Sequence, residues 1–131
     1  MAYSFELKIM SENQIKENKF PLSLIVGEQL SAVIFVQDYL QLQFDGPTLT
    51  LLNWPIIEIG GNQIHYRTEE YRNKLCELIG RLVTDVSSKE EKNMRIDFEY
   101  QATLFVSLEL ENSAVTEVVT FDDGRGGYYV W

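Results

Sequence analysis

Apolar and polar residues alternate with a period of two along most of this chain, and in one place the period lengthens. The clearest alternation is DYLQLQFDGPTLTLL, residues 38–52. Leu40, Leu42 and Phe44 face one way and Tyr39, Gln41 and Gln43 the other, as in half-buried strands. Asp45-Gly46 marks a hairpin turn. Pairing Leu42 with Leu49 and Leu40 with Leu51 on one face requires an even loop. A two-residue loop would put Pro47, which has no N–H to give, at the closing hydrogen-bonded position. The pattern therefore predicts a four-residue loop, 44–47.

A second hairpin is expected in IIEIGGNQIHYR, residues 56–67. A Gly61-Asn62 turn would pair Ile59 with Ile64 and Ile57 with Tyr66, leaving Glu58 opposite His65 on the other face. The period then becomes helical in TEEYRNKLCELIG, residues 68–80. Thr68 reads as the N-cap and Gly80 as the residue just past the end, with Tyr71, Leu75, Leu78, Ile79 and Leu82 forming one stripe. Further strands are expected near 30–36 and 81–86, with SSKEEKN (87–93) as a charged loop. Strands then follow over 96–100 and 103–110 around a three-residue turn, Tyr100-Gln101-Ala102, that pairs Glu99 with Thr103. AVTEVVTF (114–121) makes another. The first twenty residues read as an arm or short helix.

Together these elements predict one α+β domain spanning residues 1–131: an antiparallel sheet of six to eight strands with one main amphipathic helix packed on one face. A small closed barrel is the alternative. At 131 residues the chain is long enough to bury a core without disulfides or metals. No apolar run approaches the roughly 18 residues of a membrane span. MAYSFELKIM lacks the basic and apolar regions of a signal peptide. Cys76, the single cysteine, fits a reducing cytoplasm. With one Cys and one His, a zinc finger or ribbon is ruled out, and no metal site or cofactor is expected.

Charge adds a direction. The net charge is −9, and residues 20–66 and 96–124 contain no Lys or Arg. Such a field opposes phosphate backbones, so nucleic acid is not an expected partner. The basic residues gather in 67–95, around the helix and the loop after it.

Three stretches carry candidate chemistry. DDGRGG (122–127) has no Lys and no following helix, so it lacks the context of a phosphate loop. Its adjacent acids do not suit a calcium loop. It reads as a turn feeding Tyr128, Tyr129, Val130 and Trp131 into the sheet, with alternate aromatics buried. Glu58 and His65, with Tyr66 and Tyr71 nearby, outline an oxygen-rich pocket in which an acid orients an imidazole. Asp97, Glu99, Glu109 and Glu111 around Phe105 outline an acidic docking face, with Phe105 as the apolar anchor.

DYLQLQFDGPTLTLLNWP (38–55), followed by YRNKLCELIG (71–80), resembles small bacterial single-domain proteins without assigned activity, and its arrangement looks like that of small acidic immunity-type proteins; the pattern covers about a third of the chain. The resemblance implies a hairpin-then-helix arrangement and brings no catalytic residues. The leading expectation is therefore a cytoplasmic protein-interaction module, of immunity or adaptor type, that binds a basic protein. The alternatives are a small-molecule-binding domain or enzyme using the oxygen-rich pocket, and a structural homodimer joined through a sheet edge.

Overall fold

A computed structural model describes residues 20–89, 92–109 and 117–131 of the chain. Its strands form two five-stranded antiparallel sheets rather than one. The first sheet has the order β1 (Ala32–Phe35), β2 (Leu40–Gln43), β3 (Thr48–Leu51), β9 (Val119–Asp122), β10 (Tyr128–Val130). The second has the order β5 (Asn62–Ile64), β4 (Ile56–Ile59), β8 (Ala102–Ser107), β7 (Asn93–Phe98), β6 (Val83–Lys89). One short helix, α1 (Tyr71–Cys76), lies against β1 and β4. The architecture is thus mainly β, which corrects the expected single sheet carrying a main helix.

The chain changes sheet at Leu52-Asn53-Trp54-Pro55. Leu52 N–H still reaches Val118 O at 2.8 Å, but Pro55 has no N–H with which to continue the ladder. The Asn53 amide donates to Ser107 O (2.8 Å) and Glu109 O (3.1 Å), fastening the crossover to the end of β8. The inward rows of both sheets then meet in one core. Leu40, Leu42, Leu49, Leu51 and Phe121 come from the first sheet, and Ile57, Met94, Ile96, Leu104 and Val106 from the second.

Register follows face parity. The first hairpin pairs Leu42 with Leu49 and Leu40 with Leu51 around loop 44–47, as the alternation predicts. The second pairs Ile57 with Ile64 and Glu58 with Gln63, so its turn is Gly60-Gly61 and not Gly61-Asn62. Both glycines take positive φ (59° and 87°), which a residue with a Cβ adopts at a cost, so the turn settles on the Gly-Gly pair. The β7–β8 turn keeps its three residues but moves one position, to 99–101, with Tyr100 and Gln101 at positive φ. Asp97 therefore pairs with Thr103, and Arg95 with Phe105. Of the expected charged loop at 87–93, residues 87–89 and 93 are strand, because β6 runs on to Lys89 opposite Asn93, while residues 90 and 91 lie outside those described.

The helix is shorter than its apolar stripe suggests. Its N-cap position is Glu70, with no side-chain cap, rather than Thr68. After Cys76 the backbone tightens into i→i+3 turns, Leu78 N–H to Leu75 O (3.1 Å) and Ile79 N–H to Cys76 O (3.1 Å). Three residues per turn keep Leu75 and Leu78 on one buried face and rotate Ile79 off it. Ile79 and Leu82 are accordingly 44% and 37% exposed.

Because the two sheets share one core, Leu42→Ala in the first and Leu104→Ala in the second should each lower stability by about 2–5 kcal/mol. Urea unfolding followed by tryptophan fluorescence and by circular dichroism should show a single transition for each variant. Separate transitions by the two probes would contradict a common core.

Candidate functional site

The YRTEEYR stretch (66–72) leaves β5, turns, and enters α1. Its first residues stand clear of the core while Tyr71 is drawn into it, 2% exposed. The Tyr71 hydroxyl donates to Pro55 O at 2.5 Å, tying the start of the helix to the crossover between sheets. Burial, with a smaller contribution from neighbouring Tyr66, pushes the Tyr71 phenol well above the usual tyrosine range. It stays protonated and structural, and is a poor general base.

Around it the aromatic rings form a connected set. Trp54 stacks flat on Tyr66 (centroids 4.3 Å apart, planes 2° from parallel), and Tyr66 meets Tyr71 edge-on at 5.6 Å. Two guanidiniums lean on rings of this neighbourhood. Arg67 lies 5.7 Å from the Tyr66 centroid and Arg72 5.7 Å from that of Phe35 on β1. Between them is a cleft of about 270 Å³ lined by Phe35, Tyr66, Arg67, Thr68, Glu69, Tyr71 and Arg72.

Two features set this cleft apart. Arg67 is held at φ +79°, a left-handed conformation that a side chain with a Cβ adopts at a cost of about 1–2 kcal/mol. Neither arginine is in an ion pair among the described residues, in contrast to Lys74, which meets Glu77 at 3.3 Å, and Arg95, which meets Asp97 at 2.9 Å. The two guanidiniums, the flat apolar rings and the Thr68 hydroxyl can hold a ligand with a negative group and a planar apolar part.

Of the residues the sequence singles out for a pocket, Tyr66 and Tyr71 line the cleft, while Glu58 and His65 do not. The Glu58 partner across the hairpin is Gln63, whose amide approaches its carboxylate at 3.4 Å, because the turn sits one residue earlier than expected. Phe35, Arg67 and Arg72 escaped the sequence reading. The signal was present as a Tyr-Arg pair repeated five residues apart, in the one basic region of an acidic chain.

The acidic-face residues are dispersed. Asp97 accepts from Thr103 Oγ1 (2.8 Å) and from Arg95 Nε (2.9 Å), while Arg95 covers Phe105 at 5.4 Å. Glu99 lies in the turn, where its carboxylate accepts the Leu82 N–H at 3.0 Å. Glu109 is exposed, and Glu111 lies outside the described residues.

DDGRGG is a hairpin loop between β9 and β10. Asp123, 8% exposed, accepts from the N–H groups of Arg125 (2.7 Å) and Gly127 (2.9 Å) through one oxygen, and Asp122 accepts from Gly124 N–H (2.9 Å). A Cβ on Gly127 would run into the Asp123 carboxylate, so that glycine is required by packing. Tyr128–Val130 pair with β9 as expected, but as an edge strand whose inward aromatics are only partly covered. Tyr129 stacks over Phe121 at 37% exposure, and Trp131 meets Phe20 edge-on at 6.4 Å.

Among the described residues no three His, Cys, Asp or Glu side chains gather to hold a metal ion, and no helix is long and apolar enough to cross a membrane. No family model, curated protein or solved structure matches the chain.

Since the folded protein holds the Tyr71 proton more tightly than the unfolded chain, this residue stabilises the fold at neutral pH and loses that contribution as pH rises past the ordinary phenol value near 10. The urea midpoint should therefore fall more steeply between pH 8 and 11 in the native protein than in Tyr71→Phe. At pH 8 the variant should be weaker by about 1–3 kcal/mol, for the Pro55 carbonyl left unpaired. Parallel pH curves would show that Tyr71 is not buried as described.

Proposed function

We propose that the protein works as a binding domain, and that the cleft beside α1 receives a small ligand, or a side chain of a partner, that joins an anionic group to a flat apolar one. One observation carries this reading: among the described residues Arg67 and Arg72 line an aromatic cleft with no carboxylate in ion-pair contact with either, in a chain of net charge −9. Free guanidiniums in an acidic molecule have many carboxylates available as alternatives. Each instead lies over a ring, Tyr66 or Phe35, and a guanidinium offers the fork of donors that suits an anion. The fixed phenol of Tyr71 contributes shape, since its hydroxyl is already committed to Pro55.

The acidic docking face has less support as a site for a basic protein. Asp97 is neutralised by its own neighbour Arg95, which also covers the Phe105 ring offered as anchor.

Thermal denaturation with benzoate, phenyl phosphate, inorganic phosphate and benzylamine tests the cleft. A ring-bearing anion at about a hundred times its dissociation constant should stabilise by about 2.7 kcal/mol, a rise of several degrees. Inorganic phosphate should act less and benzylamine not at all. Arg72→Ala should remove the effect. Arg67→Gly should remove most of it while leaving the apo protein as stable or more so, because glycine relieves the positive φ. A flat response to all four compounds, or the same response in both variants, would refute the reading.

A further inference from the structure

The outer face of the first sheet differs in kind from that of the second. The outward positions of the second sheet carry Glu58, Arg95 and Asp97. The registers of the first place two cross-strand rows side by side, Ile34–Gln41–Thr50–Thr120–Val130 and Ala32–Gln43–Thr48–Asp122–Tyr128. In a chain that is 24% charged, these ten positions hold a single charge, Asp122.

Side-chain length along the rows shapes the surface. Short threonines on the central strands β3 and β9 make a floor. The longer Gln41 and Gln43 rise on β2, and Tyr128 rises on β10. Three strand spacings separate the walls, about 14 Å between backbones, so an open trough runs along the strands. It encloses about 400 Å³ and is lined by Gln41, Gln43, Thr48, Thr50, Thr120, Asp122 and Tyr128.

Nearly every polar group here is an amide or a hydroxyl, able both to donate and to accept. The Gln41 amide is already oriented by donating to Thr50 Oγ1 at 3.1 Å, and one Asp122 oxygen by accepting from Gly124 N–H at 2.9 Å. Tyr128, 65% exposed, offers a ring at the wall. Protein interfaces centre on an apolar patch, and this floor is hydroxylated. Polyanions are opposed by the net charge. What matches uncharged donor–acceptor pairs over a trough with an aromatic wall is a ligand of the same character, ring-shaped, with hydroxyls at its rim and C–H groups on its faces.

We infer that the outer face of the first sheet binds a neutral glycan, with Gln41, Gln43 and the threonines exchanging hydrogen bonds with sugar hydroxyls and Tyr128 stacking on a sugar ring. The site lies on a different surface from the aromatic–arginine cleft and does not depend on it.

Native-gel affinity electrophoresis in gels cast with soluble starch, mixed-linkage β-glucan, galactomannan or xylan tests this. At least one polymer should retard the native protein, while dextran sulfate should not. Tyr128→Ala and Gln43→Ala, both surface changes, should each reduce the retardation at least fivefold with circular dichroism and melting temperature unchanged. Thr50→Val, which keeps the shape and deletes the hydroxyl, should reduce it as well. Arg72→Ala should leave it intact. Free migration in all four neutral polymers would overturn the inference, and so would retardation that all three trough variants preserve.

Discussion

Each sheet buries one face against the other, and that shared core is the constraint from which the remaining features follow. A strand that ends in one sheet must resume in the other without leaving backbone groups unpaired in the interior. Leu52-Asn53-Trp54-Pro55 meets this requirement by ending the ladder at Pro55, fixing Asn53 to the end of β8 and offering the Pro55 carbonyl to Tyr71. The hydrogen bond from Tyr71 then does two things. It seats a six-residue helix, too short to persist alone, against β1 and β4. It also sets the ring against which Tyr66 and Trp54 stack.

The aromatic–arginine cleft is a consequence of this closure. β5 stops at Ile64, and Tyr66, two residues on, stays partly exposed and stacks on Trp54 instead of entering the core. Tyr71 enters in its place, and the four residues between them, 67–70, stay exposed, with Arg67 at their start and Arg72 just past Tyr71 in α1.

Period-two alternation made individual hairpins legible, since parity alone decides whether Leu42 can meet Leu49. It says nothing about which sheet a strand joins, because an inward Leu at 42 and an inward Ile at 57 look alike whether their cores are one or shared. The break between sheets was written in Asn53-Trp54-Pro55, which reads locally as an ordinary turn. Helix length was misjudged because Leu75 and Leu78 are apolar in either an α or a 3-10 turn, and the exposure of Ile79 distinguishes the two only in three dimensions. Within the cleft, Tyr66 and Tyr71 were legible as neighbours. Phe35, about thirty residues earlier, was not, because only the packing of α1 on β1 brings it there.

The most direct test of the binding account is a titration of the ¹⁵N-labelled protein with phenyl phosphate, following every backbone amide by NMR. Saturable shifts confined to Phe35 and to residues 66–72, absent in Arg72→Ala, are the predicted result. Shifts that fail to saturate, or that centre on any other surface, would contradict it.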